Sequence, residues 1–227
     1  MKRLMPIFIV ILLSGCGILT AYAPNMLSMI VVAVMGVVVL LGIIYGLIPV
    51  LTFTQGLLTG QKSIQRASEA EEKSVWITAL QMDRFFRQKK MDQLFREYRD
   101  KVKQQRQNGQ IVSDLEDILN EDVLALYSWQ GVVAQIPGTL TGLGILGTFI
   151  GLLRGLRNIN FVTVEAALSS VQSILTGIDT AFYTSIAGVI LSILFNISNN
   201  ILRNTMDREM GIFLEVFHRV VLPTTQE

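Results

Sequence analysis

Four stretches of the chain are nearly free of charge, and a long charged stretch separates the second from the third. The apolar runs extend from about Leu4 to Ala23, Met26 to Leu58, Val132 to Leu156 and Val164 to Leu202. About 20 apolar residues are enough to cross a bilayer as a helix, and a lipid-embedded backbone must satisfy its own hydrogen bonds. The pattern therefore predicts an all-α membrane protein with four transmembrane helices. The second run is longer than one crossing needs, which predicts a tilt, a kink at Pro49, or an extension past the bilayer. The expected organisation is residues 1–58 as helices one and two, 59–131 as a helical cytoplasmic insert, 132–202 as helices three and four, and 203–227 as a C-terminal cytoplasmic helix.

Within the insert the pattern changes to apolar residues at helical spacing on a charged background. Val75, Leu80, Phe85, Phe86, Leu94, Phe95 and Tyr98 form the stripe, and no Gly or Pro interrupts residues 61–107. One long helix, or a helix with a break, fits. Asn108-Gly109 is a turn signal. Ser113 with Glu116 three residues on matches a capping box, predicting a second helix from Asp114 to about Tyr127 that runs on into segment three. The run Arg87-Gln88-Lys89-Lys90 is either a solvated face or a surface for docking a partner and transmitting torque.

Charge placement sets the expected orientation. Of 19 Lys and Arg, 12 lie between residues 61 and 130, as do 12 of 18 Asp and Glu. Lys2 and Arg3 precede segment one, and the Tyr22–Asn25 link has no basic residue. By the positive-inside rule both termini and the insert are cytoplasmic. Arg154 and Arg157 fall on the outer side and weigh against this. Net charge is +1, so no nucleic-acid contact through bulk charge is expected. Lys2-Arg3, the apolar run and Leu13-Ser14-Gly15-Cys16 also fit a lipoprotein signal; the reading carried forward keeps the segment as a span. A lone cysteine excludes an internal disulfide, and a lone histidine, His218, argues against a zinc site.

The candidate chemistry lies in segments three and four. Gly147, Gly151 and Gly155 recur every four residues, following Gly144, and so share a helix face that permits close approach. Thr148 sits beside this seam and Thr141 lies seven residues earlier on nearly the same face. In segment four Gly177, Ala181, Thr184, Gly188 and Ser192 make a second small and polar stripe, with Ser185 at its edge. Ordinary helix packing accounts for such stripes. Asp179 adds an ionisable group, which in a membrane helix usually faces a bundle interior or a watery path.

The paired patterns Gly144-Ile-Leu-Gly-Thr148-Phe-Ile-Gly151 and Gly177-Ile-Asp-Thr-Ala181 through Ser185-Ile-Ala-Gly188 resemble the MotA/TolQ/ExbB proton-channel family over about residues 132–200. The resemblance implies a homopentamer around two copies of a smaller single-span partner whose membrane Asp takes up and releases the proton. It implies that Thr148 and Ser185 line the ion path, with Thr184, Thr180, Asp179 and Thr141 as further candidates, and that Gly144, Gly147, Gly151, Gly177 and Gly188 pack the helices. Family members of the TolQ and ExbB type carry Glu where Thr180 stands, and Asp179 lies one residue earlier. The ion is expected to be a proton, with sodium as the alternative, and no cofactor or metal is expected. The Thr148 and Ser185 pair also resembles the motor subunits of Zorya anti-phage systems, which carry a long cytoplasmic tail. Only about 25 residues follow segment four here, which leaves open a short-tailed relative or a piece of a longer chain.

Two other classes stay in view. A small-molecule transporter would show an internal repeat or broken helices around a substrate site, and a structural membrane scaffold would not need the two hydroxyls. An enzyme is not expected, since no catalytic constellation or phosphate-binding loop is present in the sequence.

Overall fold

A computed structural model describes residues 5–69, 84–109, 113–157, 159 and 162–220. Val75 and Leu80 of the expected insert stripe lie outside the described residues. Among those described, every regular element is helical: α1 (Met5–Ala21), α2 (Met26–Gly42), a π-helical turn (Ile43–Leu47), α3 (Ile48–Glu69), α4 (Lys89–Gln107), α5 (Glu121–Tyr127), α6 (Gln130–Val133), α7 (Ile136–Leu156) and α8 (Val164–Val220). Three stretches are long and apolar enough to cross a membrane: Met26–Arg66, Gln130–Leu156 and Val164–Arg219. Helix α1 is equally apolar but has only 17 residues.

The chain divides into two compact units, Met1–Leu47 with Gly131–Asn200, and Ile48–Gln130 with Ile201–Glu227. In the first, α2 lies against α1 and α7. Asn25 starts α2 through a capping box: its side-chain oxygen accepts from the Ser28 N–H at 2.9 Å, and the Ser28 hydroxyl accepts from the Asn25 N–H at 3.2 Å. The Tyr183 hydroxyl donates to the Leu19 carbonyl, tying α8 to α1. The π turn ends two residues before Pro49. Proline has no N–H and its ring crowds the carbonyl four residues back, that of Tyr45. Widening the helix over Ile43–Leu47 accommodates that conflict, a common form of helix irregularity.

The second unit has an aromatic core. Phe85, Phe86, Phe95 and Tyr98 are buried with Phe213 and Phe217 from α8. Phe85 stacks on Phe95 at 4.7 Å between ring centroids, and Phe86 meets Phe213 at 5.2 Å. Burying such rings stabilises by roughly 1.5–3 kcal/mol each. Asp92, buried near the start of α4, accepts the Phe86 N–H at 2.7 Å and holds the preceding loop down.

Two expectations for the insert differ from the structure. Residues 113–120 form turns, not a helix, and Ser113 is not its cap. Its hydroxyl accepts from the Gln105 amide at 2.8 Å, while its N–H donates to the Gln105 carbonyl oxygen at 2.9 Å. Asp114 is occupied by His218, whose Nε2 lies 2.7 Å from both carboxylate oxygens. Asn120 takes over the capping role, accepting the Val123 N–H at 2.9 Å. The expected run-on into segment three is also interrupted. Trp129 adopts a left-handed φ of 51°, and α7 starts afresh at Ile136 with Pro137 in its first turn, where a missing N–H does no harm.

Candidate functional site

Helices α7 and α8 touch along their glycines, backbone to backbone. Gly144 faces the Thr184 carbonyl and Gly188, Gly147 faces the Thr184 side chain, Gly151 faces Gly177 and Ala181, and Gly155 faces Gly177. A Cβ added at Gly177 would lie 2.6 Å from the Gly151 carbonyl oxygen, and one at Gly188 would lie 2.7 Å from that of Leu140. Only glycine fits there, because backbone cannot move aside as a flexible side chain can. Thr184 is buried in this seam, its hydroxyl donating to the Thr180 carbonyl at 2.9 Å.

The seam sorts the other candidates by side. At about 100° per residue, Thr141 and Thr148 of α7 and Ser185 of α8 fall on one flank of the seam, and Thr180 falls on the other. The second flank is the one α1 and α2 occupy: the Asn25 amide donates to the Thr180 hydroxyl at 2.6 Å, and that hydroxyl donates to the Thr176 carbonyl at 2.8 Å. On the first flank Thr141, Thr148 and Ser185 are each half-buried. The hydroxyls of Thr141 and Thr148 donate to carbonyls of their own helix, those of Pro137 at 3.1 Å and Ile145 at 2.5 Å. Their oxygen lone pairs stay available as acceptors, and Ser185 has both donor and acceptor capacity. Asp179 is exposed and, one residue before Thr180, lies opposite the seam. The structure thus brings together Thr141, Thr148 and Ser185, uses Thr180 and Thr184 in packing, and sets Asp179 apart.

Beside the packed flank a polar cleft of about 450 Å³ opens, lined by Asn25, Arg154, Ser169, Gln172, Ser173 and Thr176 among others. Asn25 has a part in this site that the sequence reading did not give it. Its signal was the Asn-x-x-Ser cap spacing, but the bond to Thr180 joins positions 155 residues apart. Among the described residues, no group of three or more His, Cys, Asp or Glu side chains could hold a metal ion.

The family described as anti-phage protein ZorA of the type I Zorya system matches residues 12–205, which covers α2, α7 and the whole α7–α8 seam. The chain belongs to this family. It is similar to the Zorya protein ZorA of Escherichia coli strain Crooks, with 47% identity over 60 residues. It is similar also to that of the ETEC strain, with 43% identity over 60 residues. Each match takes in 26% of this chain, but only 10% and 8% of those relatives. The matched stretch is thus about a tenth of the length of the curated relatives.

Proposed function

We propose that this ZorA-family chain is the proton-conducting subunit of an ion-driven motor in an anti-phage Zorya system. In this reading four spans, with α1 as the first, lie in the bacterial inner membrane with both termini and the insert cytoplasmic. Five copies surround two copies of a single-span partner bearing a membrane Asp, the arrangement implied by the resemblance to MotA, TolQ and ExbB proteins. The observation that carries the proposal is the flank shared by Thr141, Thr148 and Ser185. It is the side of the glycine seam that α1 and α2 leave uncovered, and all three hydroxyls lie half-buried along it.

Five such flanks turned inward make a ring of hydroxyl oxygens around the partner helices. A proton leaving the partner's Asp passes along these oxygens, and the change of charge on that Asp alters which neighbour it prefers. A charge crossing about 100 mV releases about 2.3 kcal/mol, enough to bias each step of the ring against the anchored partner. Hydroxyl oxygens also ligate sodium, so flux assays in each ion decide between the two. Thr148→Val with Ser185→Ala keeps side-chain volume while removing both hydroxyls. The double variant is expected to assemble normally and to lose proton flux and phage protection together. Full protection and flux from a correctly assembled double variant would reject the proposal and favour a scaffold.

A further inference from the structure

Four cations converge on one cleft at the start of α4. Arg84, Arg87, Lys89 and Arg96 line a space of about 430 Å³ with one carboxylate, that of Asp92, which also accepts the Phe86 N–H; the cleft keeps an excess of positive charge. None of the four makes an ion pair among the described residues. Some other arginines of this unit are paired: Arg203 lies 3.9 Å from Asp207, Arg208 lies 2.9 Å from Glu209, and Arg219 lies 2.7 Å from Glu215. Arg87 adopts φ 55°, a left-handed conformation that residues other than glycine rarely take. Four exposed cations against one carboxylate leave a positive excess that favours a bound anion.

The surroundings indicate which anion. The neighbouring Lys90 lies over the Tyr127 ring at 4.7 Å, and Tyr127 in turn contacts Phe53 of α3. On either side of Tyr127, Leu126 and Trp129 are 79% and 59% exposed. Exposed Leu and Trp beside basic side chains mark the depth at which a membrane surface meets water. Along α3 the last exposed large apolar residue is Ile48, while Phe53, Leu57 and Ile64 are buried. The lipid-facing surface of this unit therefore ends close to the ring that carries Lys90.

We propose that the Arg84, Arg87, Lys89 and Arg96 cleft binds the phosphate of an anionic phospholipid headgroup, with Leu126 and Trp129 resting in the same leaflet. Basic clusters immediately beside a membrane helix attract anionic lipid in this way. The guanidinium groups can each grip two phosphate oxygens, and the cleft is large enough for a headgroup.

The test is native mass spectrometry of the full chain in mild detergent, titrated with phosphatidylglycerol, phosphatidylcholine or inorganic phosphate. Wild type is expected to retain phosphatidylglycerol in preference to phosphatidylcholine. The Arg84→Gln, Arg87→Gln, Arg96→Gln variant should lose affinity by about fivefold per charge, on the order of 100-fold in all. Lys101→Gln with Lys103→Gln, which removes exposed cations farther along the same helix, should change nothing. If the triple variant fails to fold, Arg96→Gln alone still predicts a loss of about fivefold. Equal retention of the two lipids, unchanged affinity in a folded variant, or full displacement by inorganic phosphate at lipid concentration would overturn the proposal. The last result would assign the cleft to a soluble anion.

Discussion

The two units of this chain solve the packing problem with opposite residues. Along α7 and α8 the contact is made by glycine, and main chain meets main chain. In the unit that holds the insert, the rings of Phe85, Phe86, Phe95, Tyr98, Phe213 and Phe217 cluster in the core. The reason is the solvent. In water a large ring gains by leaving it, whereas in lipid the same ring would only exchange one apolar neighbour for another. Close fit, rather than burial, then holds helices together, and the smallest residue gives the closest fit.

The largest test of this contrast is Phe95→Ala. It should destabilise the insert unit by about 3–5 kcal/mol, read as a lower melting temperature by intrinsic fluorescence. The seam responds to the opposite change. Gly177→Ala adds one methyl within 2.6 Å of backbone and should destabilise by about 1–3 kcal/mol. Gly142→Ala, whose new methyl would meet nothing within 4 Å, should be neutral or stabilise by up to about 1 kcal/mol. Thermal melts of the two alanine variants in one detergent separate them, and equal melting temperatures would mean that the seam is not tight.

A smaller effect tests how α2 is joined to the seam. Asn25→Ala removes both the α2 cap and the bond to Thr180 and should destabilise by about 1–2 kcal/mol. Asn25→Asp, which keeps the cap acceptor but loses the amide donor, should recover part of that. Recovery to wild type would show that the Thr180 bond contributes nothing.

The smallest effect is acid dependence in the insert unit. Burial raises the Asp114 pKa, but hydrogen bonds from His218 and the Glu116 N–H outweigh it and hold the carboxyl below its ordinary 3.8. A depressed carboxylate stabilises the fold above its unfolded pKa, and that contribution is lost as pH falls through the lower folded value. Both side chains are more than a third exposed, so solvent screening keeps the effect below about 1 kcal/mol. Melting curves below about pH 4 should decline less steeply for Asp114→Asn than for wild type. Parallel curves would remove the pair from the account.

Periodicity carried much of this structure, and long-range bonds account for most of what it missed. Repeats of four residues made the faces of α7 and α8 readable, because a glycine stripe has few other uses. The aromatic stripe was readable through Phe85, Phe86, Phe95 and Tyr98, but its partners Phe213 and Phe217 lie far along the chain, inside a helix read only as a tail. The cap at Ser113 followed a sound local rule and differed from the structure because Gln105 and His218 occupy those polar groups from a distance. Within the site, spacing grouped Thr148 with Thr141 and placed Ser185 at the edge of its stripe. Spacing alone could not show that Thr180 is held by Asn25, since nothing local links a loop residue to a hydroxyl on α8.

The backbone contact between α7 and α8 also has a mechanical consequence. Side chains between two helices act as a compliant layer, since rotamers can flip and absorb displacement before the partner helix feels it. The glycine seam has little such layer; the side chains its glycines meet are the short ones of Thr180 and Thr184. A push on either helix therefore reaches the other with little slack, and the pair behaves as one stiff rod.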